Sequence, residues 1–232
     1  MSDAFRISQF MDFNRGIVYD TPDTLCKSMP EPWSLDDKIK LFECRVEVWQ
    51  LGAVVAILKQ IEASQHPSIW SHAAYGLVWI LTSYFEMIGK SLNRNSRKSG
   101  TAGEDFAAGF RDVYPSYTLQ TTDGRTLPDV RLRHAWTVLR NGIYHLGYTK
   151  RGVVLHNSPD VKDDFEGLLI PRAGTSYTTA LGVNPHSLTR TVVNHFPTFI
   201  ARLKNPAQAG LRKKFEEFVD DFHAAPPARP IT

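Results

Sequence analysis

The sequence predicts a mainly α-helical bundle that carries a small β-hairpin or sheet and further C-terminal helices. Three observations predict this class: apolar residues recur at steps of three and four, capping and proline signals mark helix starts, and short β-like runs are confined to one stretch. A chain of 232 residues with 42% hydrophobic residues can bury a stable core without disulfide or metal cross-links. Cys26 and Cys44 form no CxxC pair, so neither a disulfide framework nor a cysteine-based zinc site is expected.

Four segments are predicted along the chain. Residues 1–33 read as an N-terminal arm with room for one short helix, because prolines gather near its end. Residues 34–150 are predicted to form the helical bundle. Residues 151–223 are predicted to add the β-like insertion and the C-terminal helices, packed on the bundle. Residues 224–232, rich in Pro and Ala, are expected to be a flexible tail.

The first bundle helix is predicted to begin after Ser34, whose side chain can cap the first free amides while Asp37 reaches back to it. Its apolar stripe has alternating steps of three and four and consists of Ile39, Phe42, Val46, Trp49, Ala53 and Ala56. Past Val46 the helix is apolar nearly all round, which favours a central position or a subunit interface.

A second long helix is predicted over 69–92, after a break that contains Pro67. Its 69–85 stretch has no formal charge and approaches the length of a short membrane span. Polar residues interrupt it, and each would need a partner in lipid, so a buried bundle helix is preferred and no membrane partner is expected. The start of the chain has no basic region followed by an apolar run, which predicts no secretory signal and a cytoplasmic protein.

Further elements follow the loop at 93–103. A short helix is predicted over 104–114, and a helix over 128–147 carries an apolar stripe of Leu132, Trp136, Leu139, Ile143 and Leu146. The β-like runs lie within 152–182. Asn184 and the proline after it predict the start of the next helix, with a kink at Pro197, and a charged helix is predicted over 207–223.

The net charge of +3 is the difference between two unlike parts. Residues 1–92 carry 8 Lys and Arg against 11 Asp and Glu, whereas residues 93–214 carry 18 against 9. A basic second part indicates a surface for an anionic partner such as nucleic acid, and ordinary surface variation is the alternative. No GxSxG, Walker, GxGxxG or HExxH motif occurs. The histidines are scattered, so His186 and His195 are predicted to be surface or capping residues and no metal or cofactor is expected.

One segment carries candidate chemistry. Arg140, Asn141 and His145 stand late in the 128–147 helix. Together they resemble the R-polar-x3-H motif of the HEPN (higher eukaryotes and prokaryotes nucleotide-binding) superfamily, and residues 34–150 resemble its all-α bundle in outline. The alternative is an ordinary surface Arg and a His favoured by the helix C-terminal dipole.

The second helix adds to this resemblance. Glu86 and Lys90, at i and i+4 directly after the apolar run, are similar to the acidic and basic positions that many HEPN proteins place on an earlier helix. In that reading they orient Arg140. The alternative is a helix-surface ion pair that contributes a few tenths of a kcal/mol.

The resemblance implies metal-independent RNA cleavage, in which a ribose 2′-OH attacks the adjacent phosphate. His145 would hold or release a proton near neutral pH, Arg140 would stabilise the phosphate, and Asn141 would position the imidazole or a phosphate oxygen. On a straight helix Arg140 and His145 lie roughly 140° apart, whereas Asn141 shares a face with His145. HEPN proteins often dimerise so that two motifs face one cleft, which implies a homodimer.

Other residues have expected roles in holding RNA. Tyr144 would contact RNA or stack on a base, and a half-buried dimer contact is the alternative. Arg133, Lys150 and Arg151 would supply sequence-independent attraction to the backbone. The leading hypothesis is a HEPN-type ribonuclease in a toxin–antitoxin, RNA-processing or phage-defence role. The alternatives are a non-catalytic HEPN-like protein that binds a nucleotide or nucleic acid or acts as a scaffold, and a structural helical protein without a small ligand.

Overall fold

A computed structural model describes residues 10–12, 17–19, 32–64, 67–93, 102–115, 132, 136–137, 139, 153–155, 165–166 and 181–223. This part is mostly helical, so the predicted mainly α class is confirmed at that level. The helices are α1 (Leu35–Arg45), a π-helical segment (Val46–Leu51), α2 (Gly52–Ala63), α3 (Pro67–Leu92), α4 (Ala102–Val113), α5 (Pro185–Lys204) and α6 (Ala209–His223). None of these helices has the length and apolarity needed to cross a membrane.

The first helix begins as the sequence predicts. The Ser34 hydroxyl accepts the Asp37 amide proton at 3.1 Å, and the Asp37 carboxylate accepts the Ser34 amide proton at 3.0 Å, which completes a capping box. The helix then continues without a break through the π-helical segment into α2, over residues 35–63.

The π-helical segment makes the second half of the predicted stripe wrong. Trp49 is 41% exposed and Ala56 is exposed, although both were expected to face the core. The buried positions run from Val46 directly to Leu51 and then to Val54, a first step of five residues where the predicted stripe has a step of three. Because a π-turn bonds residue i to i+5, it takes up one extra residue and shifts the phase of the apolar face.

Among the helices that the structure describes, α3 and α4 make the most extensive contact, and glycine lets their backbones meet. A Cβ atom at Gly89 would overlap the Asp105 carbonyl, and one at Gly109 would overlap the Phe85 carbonyl. Phe85 packs edge-on against Phe106, with ring centroids 5.4 Å apart. The sequence therefore places glycine where the helix axes approach most closely.

Helices α5 and α6 close the bundle around Phe42 of α1. Its ring meets three buried rings, with centroid distances of 6.1 Å to Phe196, 6.3 Å to Phe199 and 5.1 Å to Phe215. Asn184 caps α5 as predicted, since its side-chain oxygen accepts the amide protons of His186 and Ser187. The C-terminal helices are thus part of the same core as α1.

The strands are short. β1 (Phe10–Asp12) pairs antiparallel with β2 (Ile17–Tyr19), a pairing that the sequence did not predict in the arm. β5 (Leu181–Val183) lies between β3 (Val153–Leu155), to which it is parallel, and β4 (Phe165–Glu166), to which it is antiparallel. Most of the stretch predicted to be β-like lies outside the described residues, so a hairpin or sheet over its full length stays a prediction.

Candidate functional site

The structure describes Glu86 and Lys90 but not the motif itself. The expected catalytic pair, Arg140 and His145, lies outside the described residues, as do the other predicted site residues Asn141, Tyr144, Arg133, Lys150 and Arg151. The last described position before the motif is Leu139, which is fully buried. The described part of the predicted site therefore consists of Glu86 and Lys90 on α3.

Glu86 is a buried carboxylate on α3, only 5% exposed. The indole Nε1–H of Trp136 donates a 2.6 Å hydrogen bond to its Oε1. The described residues contain no ion pair between Glu86 and Lys90, which is exposed. Glu86 thus lies inside the bundle rather than on a helix surface, and the role of Glu86 and Lys90 in a site stays a prediction.

A pocket of about 430 Å³ opens beside Glu86. Its walls come from α1, the π-helical segment, α3 and α6, and its polar lining includes Lys38, Arg45, Trp49, Gln50, Glu86 and Lys90. Sites for small molecules typically measure about 300–1,000 Å³ and combine apolar walls with a few polar groups. The size and lining of this pocket fit that description.

The positive charges of the pocket are not equivalent. Lys38 is only 7% exposed. Its Nζ lies 2.7 Å from Asp220 Oδ1 and 3.2 Å from Glu216 Oε1. Burial alone would lower the pKa of Lys38, but the hydrogen bonds to Asp220 and Glu216 outweigh it and raise the pKa above its ordinary value. Lys38 is thus neutralised locally, while Lys90 has no ion-pair partner in the described part of the chain.

The π-helical segment supplies an aromatic ring and an amide to the same pocket. The Arg45 guanidinium lies over the Trp49 ring, 5.2 Å from its centroid. The Gln50 Oε1 atom is buried and has no hydrogen-bond partner among the residues that the structure describes. A buried acceptor without a donor costs free energy, and π-turns occur frequently at functional sites.

A second polar cluster joins α3, α4 and α5. The Tyr84 hydroxyl lies 2.7 Å from His195 Nδ1, and His195 Nε2 lies 3.1 Å from Asp112 Oδ2. Arg202 Nη1 donates to both Asp112 carboxylate oxygens, at 2.7 and 2.9 Å. A carboxylate only accepts, so His195 donates from Nε2 to Asp112, while the Tyr84 hydroxyl can donate to Nδ1 or accept from it.

The electrostatics of this cluster indicate a structural role. Burial would raise the pKa of Asp112, but the hydrogen bonds from His195 and Arg202 outweigh it and lower that pKa. Burial, with the nearby Asp112 charge, raises the pKa of Tyr84. Tyr84 is 1% exposed, so its hydroxyl cannot reach a substrate and instead holds His195 in place.

Two histidines were wrongly expected at the surface. The His195 side chain is half-buried, with 9% of its side-chain surface exposed, and His186 is buried, with its Nδ1 3.3 Å from Glu62 Oε1. The only sequence signal for His195 was its place next to the buried stripe of α5. The Tyr84 and Asp112 partners lie 111 and 83 positions away in the chain, and no motif connects them.

Comparison with known proteins adds no relationship. No protein-family model, curated protein or solved structure matches the chain. Within the described residues, no group of three or more His, Cys, Asp or Glu side chains is placed to hold a metal ion. The pocket beside Glu86 and the sequence motif that follows Leu139 are the features of this chain that bear on function.

Proposed function

We propose that this protein is a HEPN-type, metal-independent endoribonuclease with a composite site in a homodimer. The observation that carries the proposal is the hydrogen bond from Trp136 to the buried Glu86. It joins α3 to the 132–139 segment, and the next residue in the chain is Arg140 of the motif. This contact supports the expectation that Glu86 and Lys90 belong to the same site as the motif.

The reaction needs only groups that this chain carries. The ribose 2′-oxygen attacks phosphorus and loses its proton, the bond from phosphorus to the 5′-oxygen breaks, and the 5′-oxygen leaves with a proton. His145 exchanges a proton with one of these oxygens. Arg140 stabilises the negative charge that builds on the phosphate. The products are a 2′,3′-cyclic phosphate and a 5′-hydroxyl.

The test is incubation of the purified protein with structured and unstructured RNA in EDTA. Wild type should cleave and leave 2′,3′-cyclic phosphate ends. His145→Ala and Arg140→Ala should each lower the rate roughly 100-fold or more. His223→Ala, at the end of α6, is the matched control and should cleave like wild type. Light scattering of the same samples should give the mass of a dimer.

Two results would reject the ribonuclease. One is an absence of cleavage by a folded wild type, and the other is equal cleavage by wild type and His145→Ala. A monomer with full activity would reject the composite site alone.

The second candidate is a non-catalytic HEPN-like protein that binds a nucleotide or nucleic acid. The pocket favours it, because Trp49 and the Arg45 guanidinium over its ring belong to the described walls rather than to the motif. Thermal stabilisation by nucleotides without any RNA turnover would distinguish this candidate from the ribonuclease. Stabilisation accompanied by turnover would favour the enzyme.

A further inference from the structure

We propose that the mouth of the pocket beside Glu86 is a docking groove for a proline-rich segment, and that its occupant is residues 224–232 of the same chain. These nine residues, AAPPARPIT, follow α6 and lie outside the described residues. The docking does not depend on the proposed function, because it is a contact within the chain in which neither RNA nor a nucleotide takes part.

The pocket has the aromatic lining that proline-rich segments bind. Three aromatic side chains line it, namely Phe42, Trp49 and Phe218. The Trp49 ring is 41% exposed, and the Arg45 guanidinium lies over it, 5.2 Å from its centroid. Segments in the polyproline II conformation dock in grooves lined by aromatic rings, because their prolines pack against the rings.

The segment after α6 has the matching composition. It contains Pro226, Pro227 and Pro230, and the last two have the PxxP spacing. Proline fixes φ near the value of polyproline II, so such a segment loses little conformational entropy when it docks. Its single charged side chain is Arg229, so most of its surface is suited to an apolar groove.

The chain leaves α6 at one end of the groove and can reach the other. Asp220 of α6 contacts Lys38 of α1. Phe215, earlier in α6, contacts Phe42, later in α1, so the two helices run in opposite directions. Trp49 stands eleven residues after Lys38, roughly 16 Å further along the helix. Nine residues in polyproline II conformation span about 28 Å, which is enough to turn back and reach the ring.

Attachment beside the groove favours this segment over a free peptide. A short connection gives the attached segment an effective concentration in the millimolar range. Contacts with a Kd of about 0.1 mM therefore keep it docked most of the time. The same contacts would hold a free peptide only at concentrations of that order.

The experiment is contact quenching in the full-length protein. Cys26→Ser and Cys44→Ser remove the native thiols, and Ile231→Cys then carries a bimane fluorophore, whose emission tryptophan quenches on contact. The bimane should be quenched, and Trp49→Phe should abolish most of that quenching. Trp79→Phe is the matched control and should keep it, since Trp79 is 38% exposed and does not line the pocket.

A further variant tests the conformation of the segment. Replacement of Pro226, Pro227 and Pro230 by glycine keeps the length and removes the preference for polyproline II. This variant should lose the quenching, because a glycine-rich segment loses more conformational entropy when it docks.

Several outcomes would overturn the inference. They are an absence of quenching, quenching that survives Trp49→Phe, equal relief by Trp49→Phe and Trp79→Phe, and unchanged quenching after replacement of the prolines. Circular dichroism shows whether each variant is folded, and Trp49→Leu takes the place of Trp49→Phe if the latter is not.

The same label distinguishes docking within one chain from docking between two. Labelled Trp49→Phe protein is unfolded and refolded together with an excess of unlabelled protein that keeps Trp49. The label should stay unquenched if each segment docks on its own chain. A return of quenching would assign the groove to the segment of a second copy and would overturn the inference.

Discussion

The indole of Trp136 donates a 2.6 Å hydrogen bond to the carboxylate of Glu86, 50 residues earlier in the chain. Glu86 lies in the buried part of α3, directly after the apolar run. A buried carboxylate is costly unless donors surround it, so this contact stabilises the bundle as well as the approach of the 132–139 segment.

Trp136→Phe should therefore destabilise the protein by about 1–3 kcal/mol, since it keeps an aromatic ring, although a smaller one, and removes the donor. Urea unfolding measures the change. Lys90→Ala is the control, because Lys90 is exposed and should change the free energy of unfolding by less than about 0.5 kcal/mol. Equal stabilities of wild type and Trp136→Phe would contradict the structural role of the hydrogen bond.

Asp112 should make stability depend on acidic pH. Its pKa is lower in the folded protein than the ordinary 3.8, so the folded state binds the proton less readily than the unfolded state. Its contribution is present above about pH 4 and is lost as pH falls through the folded-state pKa. Denaturant unfolding of wild type and Asp112→Asn between about pH 7 and pH 3 should show a steeper acid loss in wild type. Parallel curves would contradict the prediction.

Lys38 should make stability depend on alkaline pH. Its pKa is raised above the ordinary 10.5, so its contribution is complete below that pH and is lost as pH rises through the folded-state pKa. Lys38→Met should lose less stability than wild type between about pH 9 and pH 12. Lys40→Met, two residues away and exposed, is the matched control and should follow wild type. If Lys38→Met and Lys40→Met lose stability alike as pH rises, the Asp220 and Glu216 contacts do not cause the alkaline loss of stability.

Gly89 and Gly76 of α3 should respond oppositely to the same substitution. Gly89→Ala places a methyl group against the Asp105 carbonyl and should destabilise by about 1–3 kcal/mol or more, because the two backbones must separate. Gly76→Ala meets no described atom within 4 Å and should stabilise by about 0.5–1 kcal/mol through helix propensity. Thermal unfolding of both variants measures the difference, and a shared sign would argue against the close α3–α4 crossing.

Local signals predicted the helix ends well. The Ser34 capping box and the Asn184 cap are short-range interactions, and both are present in the structure. The hydrogen-bonded chain from Tyr84 through His195 to Asp112 could not be predicted, because its members come from three helices and carry no motif. The pocket could not be predicted for a related reason, since the sequence marks only its α3 residues Glu86 and Lys90 and the π-helical wall has no signature in the apolar spacing.

The extra residue of the π-turn affects the buried core and the wall of the pocket differently. If one residue such as Val48 were deleted, the buried positions Val46, Leu51 and Val54 would fall on a regular spacing of four and three, and the helix could be α throughout with the same core. Trp49 and Gln50 would then turn by about 100° relative to Val46. We expect that deletion variant to fold with near wild-type cooperativity while the residues that line the pocket beside Glu86 change.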